Sequence, residues 1–243
     1  KPLLTFGSGT FTLEFSLFVP SGSVNSNEVV AQRLVNIQDG FTIGLSSSLL
    51  KTSPLGTADL VFALTDDQKQ LTCSAEITKG KFNHIAMVYD RGVTNKIQVY
   101  VDGDLKTSSN EGQVKDLDFF GTNLIIGSGS AHSSNTFEFS PEKTLSGSLD
   151  EFRFFLSKRS VKDIRKYRDR ELYAQNDLKL YFRFNEPSGS FSKNGFGNDS
   201  LALDYSGNGL HTSVSNFSIE LRNTGSVAEI SKPNVTENPD NSP

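Results

Sequence analysis

The side chains of this sequence that could do chemistry are carboxylates, and their spacing does not suit the hydrolysis of glycosidic bonds. A retaining glycosidase needs two carboxyl groups about 5–5.5 Å apart, which alternate residues on one strand face can supply. Asp102 and Asp104 flank a glycine in a pattern that predicts a hairpin turn. Asp116 and Asp118 alternate without a third acid, and the chain has no Trp on which a sugar could stack. Its Gly-x-Ser matches lack the strand-to-helix context of a nucleophile elbow. The sequence therefore predicts a protein that is not an enzyme.

Composition and charge argue against other classes of function. The formal net charge is −4 and the pI is near 5.5, so the chain lacks the basic field that nucleic-acid binding needs. No apolar run approaches the ~20 residues of a membrane span, and no signal-peptide pattern opens the chain. Cys73 is the single cysteine, so no internal disulfide is possible. Because the chain begins at Lys1, we expect a segment of a longer or processed polypeptide.

Alternation of apolar and polar residues is the main structural signal. It predicts strands at residues 10–19, 96–101 and 178–184, while the continuous apolar run at 85–89 predicts a central strand covered on both faces. Gly- and Ser-rich stretches separate these segments, as in a sandwich or barrel. The inward-facing residues predicted for the first and last segments are Phe11, Leu13, Phe15, Leu17, Val19, Leu178, Leu180, Phe182 and Phe184.

One helix is predicted near residues 160–172, where Ser160 can cap a segment with Val161, Ile164, Tyr167 and Leu172 near one face. Its other face is basic. We interpret that face as a solvated surface of a helix that closes one end of the sandwich, with phosphate or nucleic-acid binding as the alternative. The basic residues are Lys158, Arg159, Lys162, Arg165, Lys166, Arg168 and Arg170.

Three segments together resemble the laminin-G-like, concanavalin A-like jelly roll. The first is GKFNHIAMVYD at 80–90, followed by IQVYVDG at 97–103. The second is GSLDEFRFF at 147–155, which precedes the predicted helix. The third is LYFRFNEPSG at 180–189 with LDYSGNG at 203–209. The resemblance covers roughly residues 3–217 and implies an all-β, two-sheet antiparallel sandwich.

The third segment normally opens such domains, whereas here it follows the helix. We expect residues 179–217 to complete the same sandwich, because too few residues follow for another one. The domain would then span 1–222, and the polar, Pro-rich stretch 223–243 would be a linker or arm. This late arrangement is similar to modules of large structural proteins in tailed bacteriophages.

The resemblance also implies possible ligands. Related jelly rolls often bind calcium where the first and last strands meet, and Asp150 and Asp204 match those positions, with Asn208 and Glu186 as further oxygen ligands. The alternative is that Asp204 accepts backbone amides in a turn and Asp150 pairs with an arginine. Within the glucanase branch, the Glu-x-Asp-x-Glu triplet is absent from this chain.

Histidine and tyrosine residues give weaker signals. We expect His84, on a core strand, to be buried and satisfied by the backbone rather than to act as a ligand or base. Tyr89, Tyr100 and Tyr181 stand at strand positions where they could face outward and contact a glycan, although sheet packing explains them equally well.

Three functions remain open. The favoured one is a non-catalytic structural or adhesion module of a virion, which contacts other virion proteins or copies of itself and binds host-surface glycans. The second is an extracellular or cell-surface lectin-like domain, and the third is a polysaccharide hydrolase. Nucleic-acid binding and membrane insertion are not expected.

Overall fold

The structure is a computed structural model. It describes residues 7, 9–22, 26–47, 56–66, 68–92, 96–110, 114, 117, 119, 121–134, 136–186 and 201–215. Asp116, Asp118 and the stretch 223–243 lie outside this part of the chain. No helix among the described residues is long and apolar enough to cross a bilayer.

The first large sheet has six antiparallel strands in the order β14-β13-β1-β6-β7-β8. Strand β1 therefore lies inside the sheet, between β6 and β13. The strands of this sheet are β1 (Phe11–Phe18), β6 (Phe82–Asp90), β7 (Lys96–Val101), β8 (Asp104–Ser109), β13 (Ser148–Phe155) and β14 (Leu178–Phe182).

The second large sheet has the order β12-β2-β3-β4-β5, with β9 also paired to β2. Its pairs are antiparallel except for the short parallel pair of β12 with β2. The strands are β2 (Glu28–Leu34), β3 (Gly40–Leu45), β4 (Thr57–Thr65), β5 (Gln70–Thr78), β9 (Ile125–Ile126) and β12 (Lys143–Thr144). Two small two-stranded sheets pair β10 (His132–Ser134) with β11 (Phe137–Phe139) and β15 (Leu201–Ala202) with β16 (Thr212–Ser213).

Both large sheets contribute to one hydrophobic core, which confirms the predicted jelly-roll sandwich. The alternating residues of β1 point into this core, and so do Phe41 and Ile43 of β3 and Phe62 of β4. Phe11 lies against Tyr89 and Phe154 with ring centroids 5.3 and 5.9 Å apart. Phenylalanine fills the space between the sheets, in keeping with the 19 Phe residues of the chain.

The described helix, α1 (Val161–Tyr167), packs on the outer face of the first sheet. Ile164 is fully buried against Ala86, Val88 and Tyr100. Strand β6 is therefore covered on both faces, as its continuous apolar run predicts. The helix is shorter than predicted because it ends at Tyr167, and Leu172 is buried in the irregular segment that follows.

Two local predictions for the strands have different outcomes. Asp102 and Gly103 have φ angles of 52° and 84° and join β7 to β8, which confirms a tight hairpin turn at this Asp-Gly pair. The prediction that Leu178 faces the main core is wrong. The register shifts by one residue between Phe154 and Phe155, so Leu178 packs instead in a separate cluster with Phe155, Leu172 and Tyr181.

Candidate functional site

The segment from the helix to β14 lies over the outer face of the first sheet and carries the candidate site. Ser160 caps the helix, and its hydroxyl accepts the Asp163 amide at 3.1 Å. At the other side the helix is tied to the β7–β8 hairpin, because Arg165 and Arg168 donate to the carbonyl oxygens of Gly103 and Asp102 at 2.9 and 2.8 Å. Four basic residues of this segment are therefore not simply solvated, since Arg159 and Lys158 also have acidic partners.

A buried arginine fixes the chain after the helix. Arg153, on β13, is 0% exposed and donates to the carbonyl oxygens of Tyr167 at 2.9 Å and Arg170 at 2.5 Å. Its guanidinium also forms ion pairs with Glu151 at 2.6 Å and Glu14 at 3.6 Å. These contacts place the backbone of residues 167–170 at a set position above the sheet.

The two carboxylates around Arg153 are fully enclosed. Glu14 also lies 3.3 Å from Arg159 and 3.7 Å from His84. Burial alone would raise the pKa of Glu14, but the His84 imidazole and the two guanidinium groups outweigh it and hold this pKa below its usual value. Burial likewise acts to lower the pKa of Arg153, and the surrounding tyrosine and glutamates more than reverse this effect. Both groups of the Glu14–Arg153 pair are therefore ionised at neutral pH.

Above this cluster lies a surface groove of about 300 Å³, at the lower end of the range for ligand pockets. Tyr173 is 69% exposed beside it, an unusual position for a large aromatic ring. Lys166 and Arg170 are exposed on the groove, and Lys166 Nζ lies 4.7 Å from the centroid of the Tyr167 ring. The lining consists of Lys166, Tyr167, Arg170, Glu171, Leu172, Tyr173 and Gln175.

The other wall of this region is stabilised by Arg183, which directly follows β14. Arg183 forms an ion pair with Glu171 and lies 5.0 Å from the centroid of the Tyr205 ring. Tyr205 is 37% exposed and packs edge-on against Tyr181. The hydroxyl of Tyr181 in turn donates to Glu151, so the surface around the groove is connected to the buried ionic cluster.

The residues proposed for calcium lie in two places. Asp204 forms a bridge with Phe182 on the side of β14 away from β13, whereas Asp150 lies on β13 itself. Glu186 lies near Asp204, because its carboxylate accepts the backbone amide of Leu203, the residue before Asp204, at 2.7 Å. No group of three or more His, Cys, Asp or Glu side chains that could hold a metal ion occurs in the described ranges.

Asp204 is engaged by turn and strand donors. Its two oxygens accept the amides of Tyr181 and Ser206 at 3.0 and 2.9 Å, the Ser206 hydroxyl at 2.9 Å and the Leu210 amide at 2.9 Å. Asn208 directs its amide nitrogen to the carbonyl oxygens of residues 178 and 179. A calcium ion at Asp204 would have to replace some of these hydrogen bonds. The calcium assignment stays a prediction.

The three tyrosines considered for glycan contact are buried, so that interpretation is wrong. Tyr89, Tyr100 and Tyr181 are 1%, 6% and 0% exposed. Tyr100 faces outward from the sheet, but helix α1 covers it. The sequence does not identify the exposed tyrosines Tyr173 and Tyr205, because irregular segments have no periodicity that indicates which side chains face solvent.

The histidines are structural in their contacts. His84 is 4% exposed as predicted, but its ring faces Glu14 rather than backbone groups, at a distance that is long for a hydrogen bond. His132 is 0% exposed and contacts the hydroxyls of Thr42 and Thr65 through its two ring nitrogens. Burial lowers the pKa of His132 to about 4. His211 accepts the Asp204 amide at 3.0 Å.

One acidic pair cannot be recognised from the sequence, because its two members are distant in the chain. Asp59 on β4 and Glu76 on β5 are directly opposite in the register. Cross-strand partners have Cβ atoms about 4.5–5.5 Å apart. Asp59 is half-buried, and burial together with Glu76 raises its pKa. Only knowledge of the strand register could have revealed this pair.

The fold is a jelly-roll β-sandwich, with a polar and aromatic groove beside its helix. The profile of the concanavalin A-like lectin/glucanase superfamily matches residues 2–165, more than half of the chain. The chain belongs to this superfamily. The match ends one residue before Lys166, so the groove is lined by residues that follow the matched region.

Solved structures show the same fold. A Bacteroides ovatus protein assigned to carbohydrate binding is 13% identical and superposes with a TM-score of 0.57, covering 86% of this chain and 55% of that one. The binding domain of Paraclostridial Mosquitocidal Protein 1 is 14% identical with a TM-score of 0.50, covering 70% of this chain and 39% of that one. The chain thus spans about half of the first structure and two fifths of the second. No curated protein sequence matches it.

Proposed function

We propose that this chain is a non-catalytic carbohydrate-binding module that holds glycans in the groove beside helix α1. The exposed ring of Tyr173 next to the hydrogen-bonding side chains of Arg170 and Gln175 is the observation that carries this proposal. A tyrosine ring offers an apolar face to the C–H groups of a sugar, while polar neighbours can bind its hydroxyls.

The comparisons support a glycan as the ligand. Members of this superfamily include lectins, and the Bacteroides ovatus protein that shares the fold is assigned to carbohydrate binding. The groove is the site on this chain that we propose for such a ligand. Arg153 fixes the backbone of residues 167–170, which form part of the groove, without any ligand. A preformed site loses less entropy on binding.

The burial of the two glutamates around Arg153 argues against a catalytic role for them. Glu14 and Glu151 both contact Arg153, but they are 0% and 1% exposed. A saccharide cannot reach them, and Glu14 is held ionised, so it cannot donate a proton as a general acid. Hydrolysis is a second candidate function because Asp59 and Glu76 are direct cross-strand partners and the pKa of Asp59 is raised, as in an acid pair.

A glycan array with the purified chain, with and without calcium, tests carbohydrate binding. We expect binding that is lost in Tyr173→Ala and retained in Ile37→Ala, a control at an exposed apolar residue that precedes β3 of the other sheet. Binding that survives Tyr173→Ala would exclude the groove, and no binding to any glycan would overturn the proposed function. Dependence on calcium, lost in Asp150→Asn, would support the predicted metal ligands.

The catalytic alternative has its own measurement. The glycans that bind are incubated with the chain, and newly formed reducing ends are counted. We expect none above the level of an Asp59→Asn, Glu76→Gln double variant. Release of reducing ends by the wild-type chain that the double variant lacks would identify a hydrolase instead.

We further propose that the module is displayed on a virion, where it contacts other virion proteins or copies of itself. The order of the sequence segments, with the LYFRFNEPSG and LDYSGNG stretches after the helix, supports this context. Immunogold labelling and peptide mass spectrometry of purified phage particles test it. Detection of the chain only in a secreted cellular protein would favour the extracellular lectin-like alternative.

A further inference from the structure

The charges of the groove are not balanced. Glu171 is the acidic residue of the lining, and its carboxylate is already paired with Arg183, the residue after β14. Lys166 and Arg170 contribute two positive charges to the same lining. In the described part of the chain, no carboxylate lies within ion-pair distance of either side chain. The groove therefore presents net positive charge on a chain whose overall charge is −4.

Several neighbouring cations of the same segment do have acidic partners. Arg165 is paired with Asp104 at 3.2 Å, and Arg168 with Asp169 at 2.7 Å. Lys158 is paired with Asp90 at 2.6 Å. In the part of the chain that the structure describes, Lys166 and Arg170 of the groove thus lack the acidic partners that these neighbours have, as does Lys162 outside the lining.

The two cations of the groove, Arg170 and Lys166, can bind an acidic group in different ways. Arg170 has its backbone carbonyl held by Arg153, so its side chain extends from a fixed point. A guanidinium can bind a carboxylate or a sulfate through two parallel hydrogen bonds, while the Lys166 ammonium adds a point charge. Tyr173 supplies the apolar contact for the ring that carries the acidic group.

We infer that the groove is specific for an acidic saccharide, a sugar bearing a carboxylate or a sulfate, bound by Arg170 and Lys166 with its ring against Tyr173. This inference rests on the proposed carbohydrate-binding function and assigns its ligand class. A nucleic-acid backbone is a poorer fit, because two cations on an acidic chain provide few phosphate contacts.

Matched pairs of glycans test the charge requirement by isothermal titration calorimetry. The probes are sialyllactose against lactose, an oligogalacturonate against its methyl ester, and a sulfated against an unsulfated disaccharide. We expect at least one acidic member to bind at least tenfold more tightly than its neutral partner, with an affinity that falls as salt rises. The member that binds distinguishes a carboxylate from a sulfate ligand.

Variants assign the effect to the groove. Lys166→Gln with Arg170→Gln should reduce the affinity for the acidic member at least tenfold and abolish its preference over the neutral member. Lys69→Gln with Lys106→Gln removes the same charge from exposed strand and turn positions and should change neither affinity. Circular dichroism and thermal melting confirm that each variant is folded.

The outcomes separate the inference from the proposed function. Equal affinity for acidic and neutral members, both lost in Tyr173→Ala, would overturn the inference and leave carbohydrate binding intact. An acidic preference that both double variants reduce alike would also overturn it, because long-range charge would then be the cause. No binding to any saccharide would overturn both. Binding of duplex DNA, but not of saccharides, through Lys166 and Arg170 would replace the inferred ligand class.

Discussion

Replacing Arg153 by methionine should destabilise the chain severely, because it leaves two buried carboxylates without their shared cation. Arg153 and Glu14 are both 0% exposed, and Glu151 is 1% exposed. Breaking a buried ion pair by removing one partner typically costs about 3–5 kcal/mol. The carbonyl oxygens of Tyr167 and Arg170 also lose charged donors, worth about 1.5–3 kcal/mol each before any rearrangement.

Two effects reduce this cost. Arg159 remains 3.3 Å from Glu14, and the methionine side chain fills most of the vacated volume. We therefore expect the free energy of unfolding to fall by about 4 kcal/mol at pH 7. With a urea m-value of about 3 kcal/mol/M, the unfolding midpoint moves down by about 1.3 M. Lys81→Met is the control, since its pair with Asp102 is exposed and should be worth less than about 1 kcal/mol.

The pH dependence tests the cause. In the wild type the pKa of Glu14 is held below its unfolded value, so its contribution to stability is present above about pH 4.3 and is lost as the pH falls. Without Arg153, one of the groups that lower this pKa is missing, so less of the stabilisation that ionised Glu14 provides above about pH 4.3 remains. The loss in Arg153→Met should thus be larger at pH 7 than at pH 4. A loss below about 1 kcal/mol at pH 7, or an equal loss at both pH values, would refute this reasoning.

Three further predictions concern other parts of the sandwich. Gly103→Ala should lower the free energy of unfolding by about 1–3 kcal/mol in a urea titration, because φ is 84° and a Cβ would lie 2.7 Å from Arg165 Cγ. Gly22→Ala is the control and should be near neutral, since there is open space around Gly22. The pKa of His132 is lowered to about 4, so below pH 6.5 the unfolded chain binds a proton that the folded chain does not. The free energy of unfolding should therefore fall by up to about 3 kcal/mol as the pH drops from about 6.5 to about 4. His132→Gln should remove that part of the pH dependence, and an unchanged profile would contradict the assignment. Burial raises the pKa of Cys73 to about 12, so the native thiol should react with a disulfide reagent at pH 8 much more slowly than in 8 M urea, and equal rates would show that it is accessible.

Sequence periodicity predicts β1 because side chains alternate between the two faces of a strand, and every second residue of β1, from Phe11 to Leu17, lies in the main core. Periodicity does not show what covers the outer face. Thr12, Glu14 and Ser16 alternate with the core residues of β1, yet they are 0%, 0% and 3% exposed. Arg159, just before the helix, contacts the first two of them. The same limit explains why three buried tyrosines could be interpreted as outward-facing.

Features that depend on register or on irregular backbone could not be predicted. Asp59 and Glu76 meet only because β4 and β5 pair in one particular register. The groove depends on the chain after Tyr167, where the predicted helix does not continue and no repeat indicates the direction of a side chain. The family resemblance correctly predicts the sandwich, but the groove begins just beyond the region that the superfamily profile matches.

Because Arg153 holds residues 167–170, the residue that fixes the backbone of this surface is not one of the residues that line the groove. The backbone is fixed from below by a residue that no ligand touches, whereas Lys166, Arg170, Tyr173 and Gln175 extend into solvent above it. Exposed side chains can usually be exchanged at a cost within about 0.5 kcal/mol. Under the proposed function, the set of glycans bound can thus diversify by single substitutions, as in the variable loops of an antibody, while the sandwich beneath keeps its stability.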